Sequence, residues 1–288
     1  MSFPGRIAAQ IGNVVLVTLL AGLIAAALVR YSPGYGMDES DLDPRLSAAT
    51  VRAMRARRAS EEASLPRFYA GYLARAVTGD LGTSQAFQQP IATLLADRAP
   101  ATFELVVGGS LLGWIMAFVF AALAVRFRHP LFDFGASAGN GMLLSVPPAV
   151  LALLFFHTGW PLTVAMGLIV APRLYSTLRL LFDELSNSSR TIAARARGLT
   201  AWQLGLHYFA LPAAGRLVAL LGIAAVIAFG CAVPIEALCD SPGIGQLAWK
   251  AALARDLPLL SALTLTITVF VTCLNAVSDL FDPERRGA

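Results

Sequence analysis

Six long apolar runs limit what this chain can become. They extend over about Ile7–Val29, Thr102–Val125, Leu131–Phe156, Pro161–Phe182, Ala213–Val233 and Leu257–Leu280, and about 20 such residues suffice for a helix to cross a hydrocarbon core. Inside a bilayer no water satisfies backbone N–H and C=O groups, so runs of this kind are read as helices whose hydrogen bonds are internal. Of the 288 residues 57% are hydrophobic and 14% charged, and the mean hydropathy is +0.66, too apolar for a water-soluble domain. The expectation is an all-α integral membrane protein with six transmembrane helices. A cleaved signal peptide is the rival reading of the first run, since Arg6 precedes it and Ala25 to Ala27 are small. The run is longer than the roughly 7 to 15 apolar residues of a signal core, which favours a span.

In such a chain the net charge of +4 marks cytoplasmic loops rather than a nucleic-acid partner. With the N-terminus inside, short cytoplasmic loops carry Arg6, Arg126, Arg128, Arg190, Arg195, Arg197, Arg285 and Arg286, against Lys250 and Arg255 in short outside loops. Six spans then leave both termini cytoplasmic. Lys250 is the only lysine, so no GxxxxGK[ST] phosphate loop exists, and the chain is expected to be no ATPase. Cys231, Cys239 and Cys273 form neither a metal pattern nor a disulfide framework, and no cofactor or metal site is expected. His129, His157 and His207 lie near loops without the Ser or Asp partners a hydrolase needs.

The organisation follows: a transmembrane helix in 1–30, a polar loop or cap in 31–100, a transmembrane core in 101–282 with a loop at 186–212, and a tail in 283–288. In the polar segment Pro33, Gly34 and Gly36 begin a turn, Ser47–Ala63 suits a short surface helix, and Ile91–Arg98 reads as a separate interfacial helix. Gly79 and Gly82 permit turns, with Asp80, Thr83 and Ser84 placed to bond backbone amides. In the third run Pro147 and Pro148 should kink or unwind the span. In the fourth, Arg179 is placed to pair with Asp183 and Glu184, whereas Arg173, deeper and beside Pro172, suits a water-filled path. Pro147, Pro148 and Arg173 are the pathway candidates.

Two loops carry most of the functional signal. Arg190–Pro212 reads as two short helices broken at Gly198: Ile192, Ala193, Ala194 and Ala196 make a small smooth surface, Arg190, Arg195 and Arg197 supply charge, and Leu199 follows the break. Gly198 is expected as a left-handed cap, Thr200 as the next N-cap and Pro212 in the first turn of the following span. An interfacial helix resting on anionic lipid is the alternative. The other loop runs from Glu236 through Ser241, Pro242, Gly243 and Gly245, where the glycines allow tight backbone, and Gln246–Arg255 suits a re-entrant or surface helix.

These strings resemble the permease subunits of binding-protein-dependent ABC importers, in the dipeptide, oligopeptide and nickel branch. IAARARG followed by Leu211–Pro212 resembles the family's coupling loop, with Ile192 where Glu is usual. RYSPG, then GDLG at 79–82 and PATFEL at 100–105, resemble its first loop. Glu236, PGIG at 242–245 and ARDLPLL resemble its periplasmic gate. The resemblance implies a type-1 ABC importer permease fold with a long periplasmic loop between helices 1 and 2. It also implies a coupling surface at Arg190, Ile192, Ala193, Ala194, Arg195, Ala196, Arg197, Gly198 and Leu199, and a gate at Glu236, Pro242, Gly243 and Gly245. Ala194 and Gly198 are expected to face water in the free subunit. The implied partners are a second homologous permease subunit, cytoplasmic ATPase subunits that bind ATP and Mg, and a periplasmic or lipoprotein substrate-binding protein, in the bacterial inner membrane. The implied solute is a peptide, with nickel chelates or glutathione as alternatives. A stand-alone secondary transporter is the reading from another class; it would place acids at mid-membrane, and here they cluster at span ends.

Overall fold

The computed structural model describes residues 3–30, 65–127, 130–200 and 203–281. Its helices are α1 (Phe3–Arg30), α2 (Leu65–Val77), α3 (Ile91–Phe127), α4 (Pro130–Ser145), α5 (Pro148–Thr158), α6 (Leu162–Ser186), α7 (Ser189–Ala196), α8 (Leu211–Leu238), α9 (Ile244–Leu253) and α10 (Leu257–Phe281), with a π-helical segment at Leu204–Ala210. Among the described residues five helices are long and apolar enough to cross a membrane, and the bent pair α4–α5 gives a sixth if it is one span. The expectation of an all-helical membrane protein holds, with five to six spans among the described residues. The surface helix expected at Ser47–Ala63 lies outside the described residues. The chain falls into two compact units, Met1–Arg98 with Leu247–Thr272, and Ala99–Gln246 with Cys273–Ala288.

In the first unit α2 is fastened to α1. The Tyr69 hydroxyl donates to the Leu19 carbonyl at 2.9 Å, and Tyr69 packs with Ala26 and Leu257 against Leu23 and Leu73. Burial pushes the Tyr69 phenol up and that of Tyr72, which is 2% exposed, up to about 12. A phenol held neutral stabilises the fold fully below its unfolded pKa of about 10. That contribution is lost as the pH rises through the folded value of about 12.

The polar loop ahead of α3 is ordered around one carboxylate. Gly79 and Gly82 take positive φ, and Gly82 N–H donates to Asp80 at 2.9 Å. Buried Asp256, just before α10, accepts from the Ser84 hydroxyl, from Ala86 N–H at 3.0 Å and from Leu259 N–H at 3.0 Å. One carboxylate thus caps a transmembrane helix and holds a loop distant in sequence. Asp256→Ala strips all three donors of their acceptor, at about 1–3 kcal/mol for each buried group left unpaired. We expect amide exchange at Ala86 and Leu259 to quicken by more than about tenfold, with Asp256→Asn milder because it keeps an acceptor. Unchanged exchange in the alanine variant would refute the cap.

Ile91–Arg98 is not a separate helix. It forms the first turns of α3, which continues through Pro100. One residue lacking an N–H does not end a helix this apolar when the freed carbonyl lies near the span's end, within reach of water.

In the second unit α3 and α6 approach closely. A Cβ at Gly109 would lie 2.2 Å from Met166, and one at Gly113 would lie 2.9 Å from the Gly167 carbonyl, so this small-xxx-small pair sets the helix spacing. Trp114 stacks on Phe118, which meets Phe182 edge-on. The third apolar run is two helices bent by 92°: Pro147 is extended at φ −59°, ψ 135° and Pro148 opens α5, because neither ring nitrogen can donate to the preceding turn. Arg179 pairs with Asp183 at 3.1 Å and with Asp133 at 3.0 Å. Glu184 does not join them; it pairs with Arg216 of α8 at 2.7 Å. On α8, a Cβ at Gly222 would lie 2.7 Å from Ser278, whose hydroxyl donates to the Ala219 carbonyl at 2.9 Å.

Candidate functional site

Helix α7 is stopped at both ends by side-chain and backbone chemistry legible in its sequence. The Ser188 hydroxyl accepts from Thr191 N–H at 3.3 Å, a standard N-cap. At the other end Gly198 has φ +78°; its N–H donates to Arg195 O at 3.0 Å, and Leu199 N–H reaches Ala194 O at 3.4 Å. These two bonds are the Schellman pair. Two residues on, Gln203 N–H donates to the Thr200 hydroxyl at 3.4 Å and the Gln203 side chain accepts from Thr200 N–H at 3.1 Å, a reciprocal capping box. The turn set by Gly198 is therefore pinned on each side.

The second helix begins with the π-helical segment and runs into α8, with Pro212 as the second residue of α8. The wide i→i+5 turn lies where Pro212 withdraws an N–H and crowds the carbonyl four residues earlier. The sequence reading missed it, because hydrophobic spacing does not distinguish α from π.

Thr191 and Ala194 are fully buried, while Arg190, Ala193, Arg195, Ala196, Arg197 and Gly198 are exposed, Ile192 is 56% exposed and Leu199 is half-buried. Ala194 therefore departs from the expectation that it faces water. Residues 191 and 194 share one helical face, and on that face a small side chain lets α7 lie against its own subunit. The outward surface is Ile192, Ala193 and Ala196, rimmed by arginines.

The other loop is built on a buried carboxylate. Glu236, 1% exposed, accepts from Gly245 N–H at 2.7 Å. A Cβ at Gly243 would lie 2.1 Å from its carboxyl group, and one at Gly245 would lie 2.4 Å from the Val233 backbone. Ser241 N–H returns to the Glu236 carbonyl at 3.0 Å, the Thr102 hydroxyl accepts from Ile244 N–H at 2.8 Å, and the Gln246 amide bonds Asp240. Glu236, Gly243 and Gly245 thus converge, with Pro242 exposed beside them. Helix α9 follows where a re-entrant or surface helix was expected. Thr102 and Asp240 were not foreseen, since nothing local links Thr102 to a turn so far along the chain. Next to this turn, burial pushes the Cys239 thiol up.

Residues 109–287 match the family described as binding-protein-dependent transport system inner membrane component, and the match takes in both loops. The chain belongs to that family. It is a permease subunit of an ABC importer, multi-pass in the inner membrane and not itself the catalytic subunit. Among similar proteins, a nickel import system permease protein of Staphylococcus aureus (strain MRSA252) is 24% identical over 95% of this chain and 89% of its own length. A "putative peptide permease protein" of Brucella suis biovar 1 is 25% identical over 90% of each. Both names fall in the branch that the sequence motifs resemble.

For an importer permease the pathway candidates matter next. Pro147 and Pro148 form the break between α4 and α5. Arg173 is exposed on α6, between buried Pro172 and Leu174, and its guanidinium lies near the Cys231 thiol of α8.

Proposed function

We propose that this permease forms half of the translocation path of a peptide importer and that α7 is where a separate ATPase docks. The observation that carries this reading is the outward face of α7: Ile192, Ala193 and Ala196 are exposed, while the helix is anchored through Thr191 and Ala194 and its exit angle is set by capped Gly198. A surface small enough for close backbone approach, on a rigid mount, transmits a push from a partner. The proposed assembly pairs this chain with a second homologous permease, with ATPase subunits that hold ATP and Mg, and with a periplasmic or lipoprotein substrate-binding protein. ATP-driven closure of the ATPases would shift the bundle between inward- and outward-open states, with no chemistry in this chain. Both termini and the α7 loop lie in the cytoplasm, and 31–100 lies outside.

Purified alone, the chain is expected to hydrolyse no ATP and to do so only with its ATPase partner; hydrolysis by the single subunit would refute the division of labour. Topology is tested with cysteines at Ser47 and Ser60 after replacement of Cys231, Cys239 and Cys273. Labelling from the periplasmic side is expected, and labelling only from the cytoplasm would overturn the orientation.

A further inference from the structure

Arg173 occupies a position that neither lipid nor an ion pair among the described residues explains. It is eleven residues from Leu162 and thirteen from Ser186 in α6, about 16 and 20 Å from the helix ends at 1.5 Å per residue. That places it near mid-membrane, too deep for its side chain to snorkel to either surface. Its side chain is exposed, and so are Ser176 and Thr177, which three and four residues on lie on the same helical face. Ser176 in turn accepts from the Asn140 amide at 3.1 Å, carrying the polar strip across to α4. No carboxylate pairs with Arg173 among the described residues; its neighbour is the Cys231 thiol of α8. By contrast Arg179, nearer the end of the same helix, is held between Asp133 and Asp183. One arginine is neutralised by the fold and the other is left available.

We infer that Arg173, flanked by Ser176 and Thr177, is a carboxylate-binding station in the translocation path. This rests on the importer reading above and deepens it by naming the chemistry of the cargo. A guanidinium binds a carboxylate through two parallel N–H···O bonds. In a low-dielectric channel the same fixed charge opposes a bare divalent cation. The solute of this permease therefore carries a carboxylate, as a peptide does at its C-terminus, and a metal crosses only inside an anionic chelate.

The test uses the whole complex with its binding protein in lipid vesicles. Uptake of a labelled dipeptide, of bare nickel ion and of its citrate complex is compared for wild type, Arg173→Lys and Arg173→Gln, with binding-protein-stimulated ATP hydrolysis followed in parallel. Whichever of dipeptide and citrate complex the wild type carries, Arg173→Gln is expected to carry it about tenfold more slowly or worse, and Arg173→Lys to fall between that variant and wild type, because it keeps the charge but loses the two-pronged fork. Hydrolysis stays within about twofold in both, because the cycle itself does not use this residue. Bare nickel is not carried. Normal uptake by Arg173→Gln, or transport of bare nickel by wild type, would overturn the station. Loss of hydrolysis in both variants would also overturn it, showing an arginine that seals a contact with another subunit. A wild-type complex that neither responds to its binding protein nor carries any probe would instead refute the importer reading.

Discussion

Ala193→Glu is expected to abolish ATPase binding and solute uptake while leaving the subunit folded and inserted. Ala193 is exposed on α7, so the substitution meets water in the free subunit and its cost should stay within about 0.5 kcal/mol. Once a partner closes over the helix, the same carboxylate is bulky, charged and buried without a partner, a penalty of several kcal/mol that translates into more than about a hundredfold loss of affinity. Gly198→Pro should act alike for a different reason: proline holds φ near −65°, whereas this residue sits at +78° and donates its N–H to Arg195. The angle between the two short helices cannot survive that change. Ala194→Glu is a different experiment, since Ala194 is fully buried against its own subunit; it should dislodge α7 itself and lower the melting temperature. Copurification of the ATPase, vesicle uptake and thermal stability measured together separate the cases. Normal copurification and uptake in both Ala193→Glu and Gly198→Pro would leave α7 as a helix resting on lipid.

Gly245→Ala is expected to be the most destabilising single methyl addition in the second unit. The new Cβ would lie 2.4 Å from the Val233 backbone Cα, an atom that no rotamer change can move away. Relief requires lifting the 241–246 turn off α8, which breaks the Gly245–Glu236 hydrogen bond and strands a buried carboxyl group. Overpacking alone costs about 1–3 kcal/mol, and losing a hydrogen bond to a buried carboxyl group about 1–3 kcal/mol more. The melting temperature in detergent should fall by many degrees, with proteolysis appearing first in the turn. Glu236→Gln, which keeps an acceptor for Gly245 N–H, should be far milder than Glu236→Ala. Equal stability of Gly245→Ala and wild type would show that the carboxyl clamp is not what holds the turn.

Local chemistry was readable wherever a short stretch satisfies its own needs. Gly198, Thr200 and Pro212 each took the role their residue type prescribes, because caps and turns are settled by backbone groups a few residues away. Pro147 and Pro148 broke the third run for the same reason. The helical extension through Pro100 was not readable, since whether a proline ends or merely notches a helix depends on what surrounds the freed carbonyl.

Long-range arrangement was the part that only folding supplied. Composition and six apolar runs determine an all-helical membrane protein, since a bilayer offers backbone groups no other partners. The ordered motifs determine its kinship. Which side of α7 faces outward, however, is decided by where α6 and the π-helical segment lie, and that turned Ala194 inward while leaving Ala193 and Ala196 open. The carboxyl group of Asp256 likewise gains its meaning from a donor distant in sequence, Ser84, and the turn that Glu236 holds nine residues on is completed by Thr102 from far along the chain. Two arginines six residues apart on one helix end in opposite states because Asp133 arrives from α4 beside Arg179, whereas among the described residues no acid arrives beside Arg173. Burial and pairing are properties of the packed bundle, and a sequence states them only where the partners are neighbours along the chain.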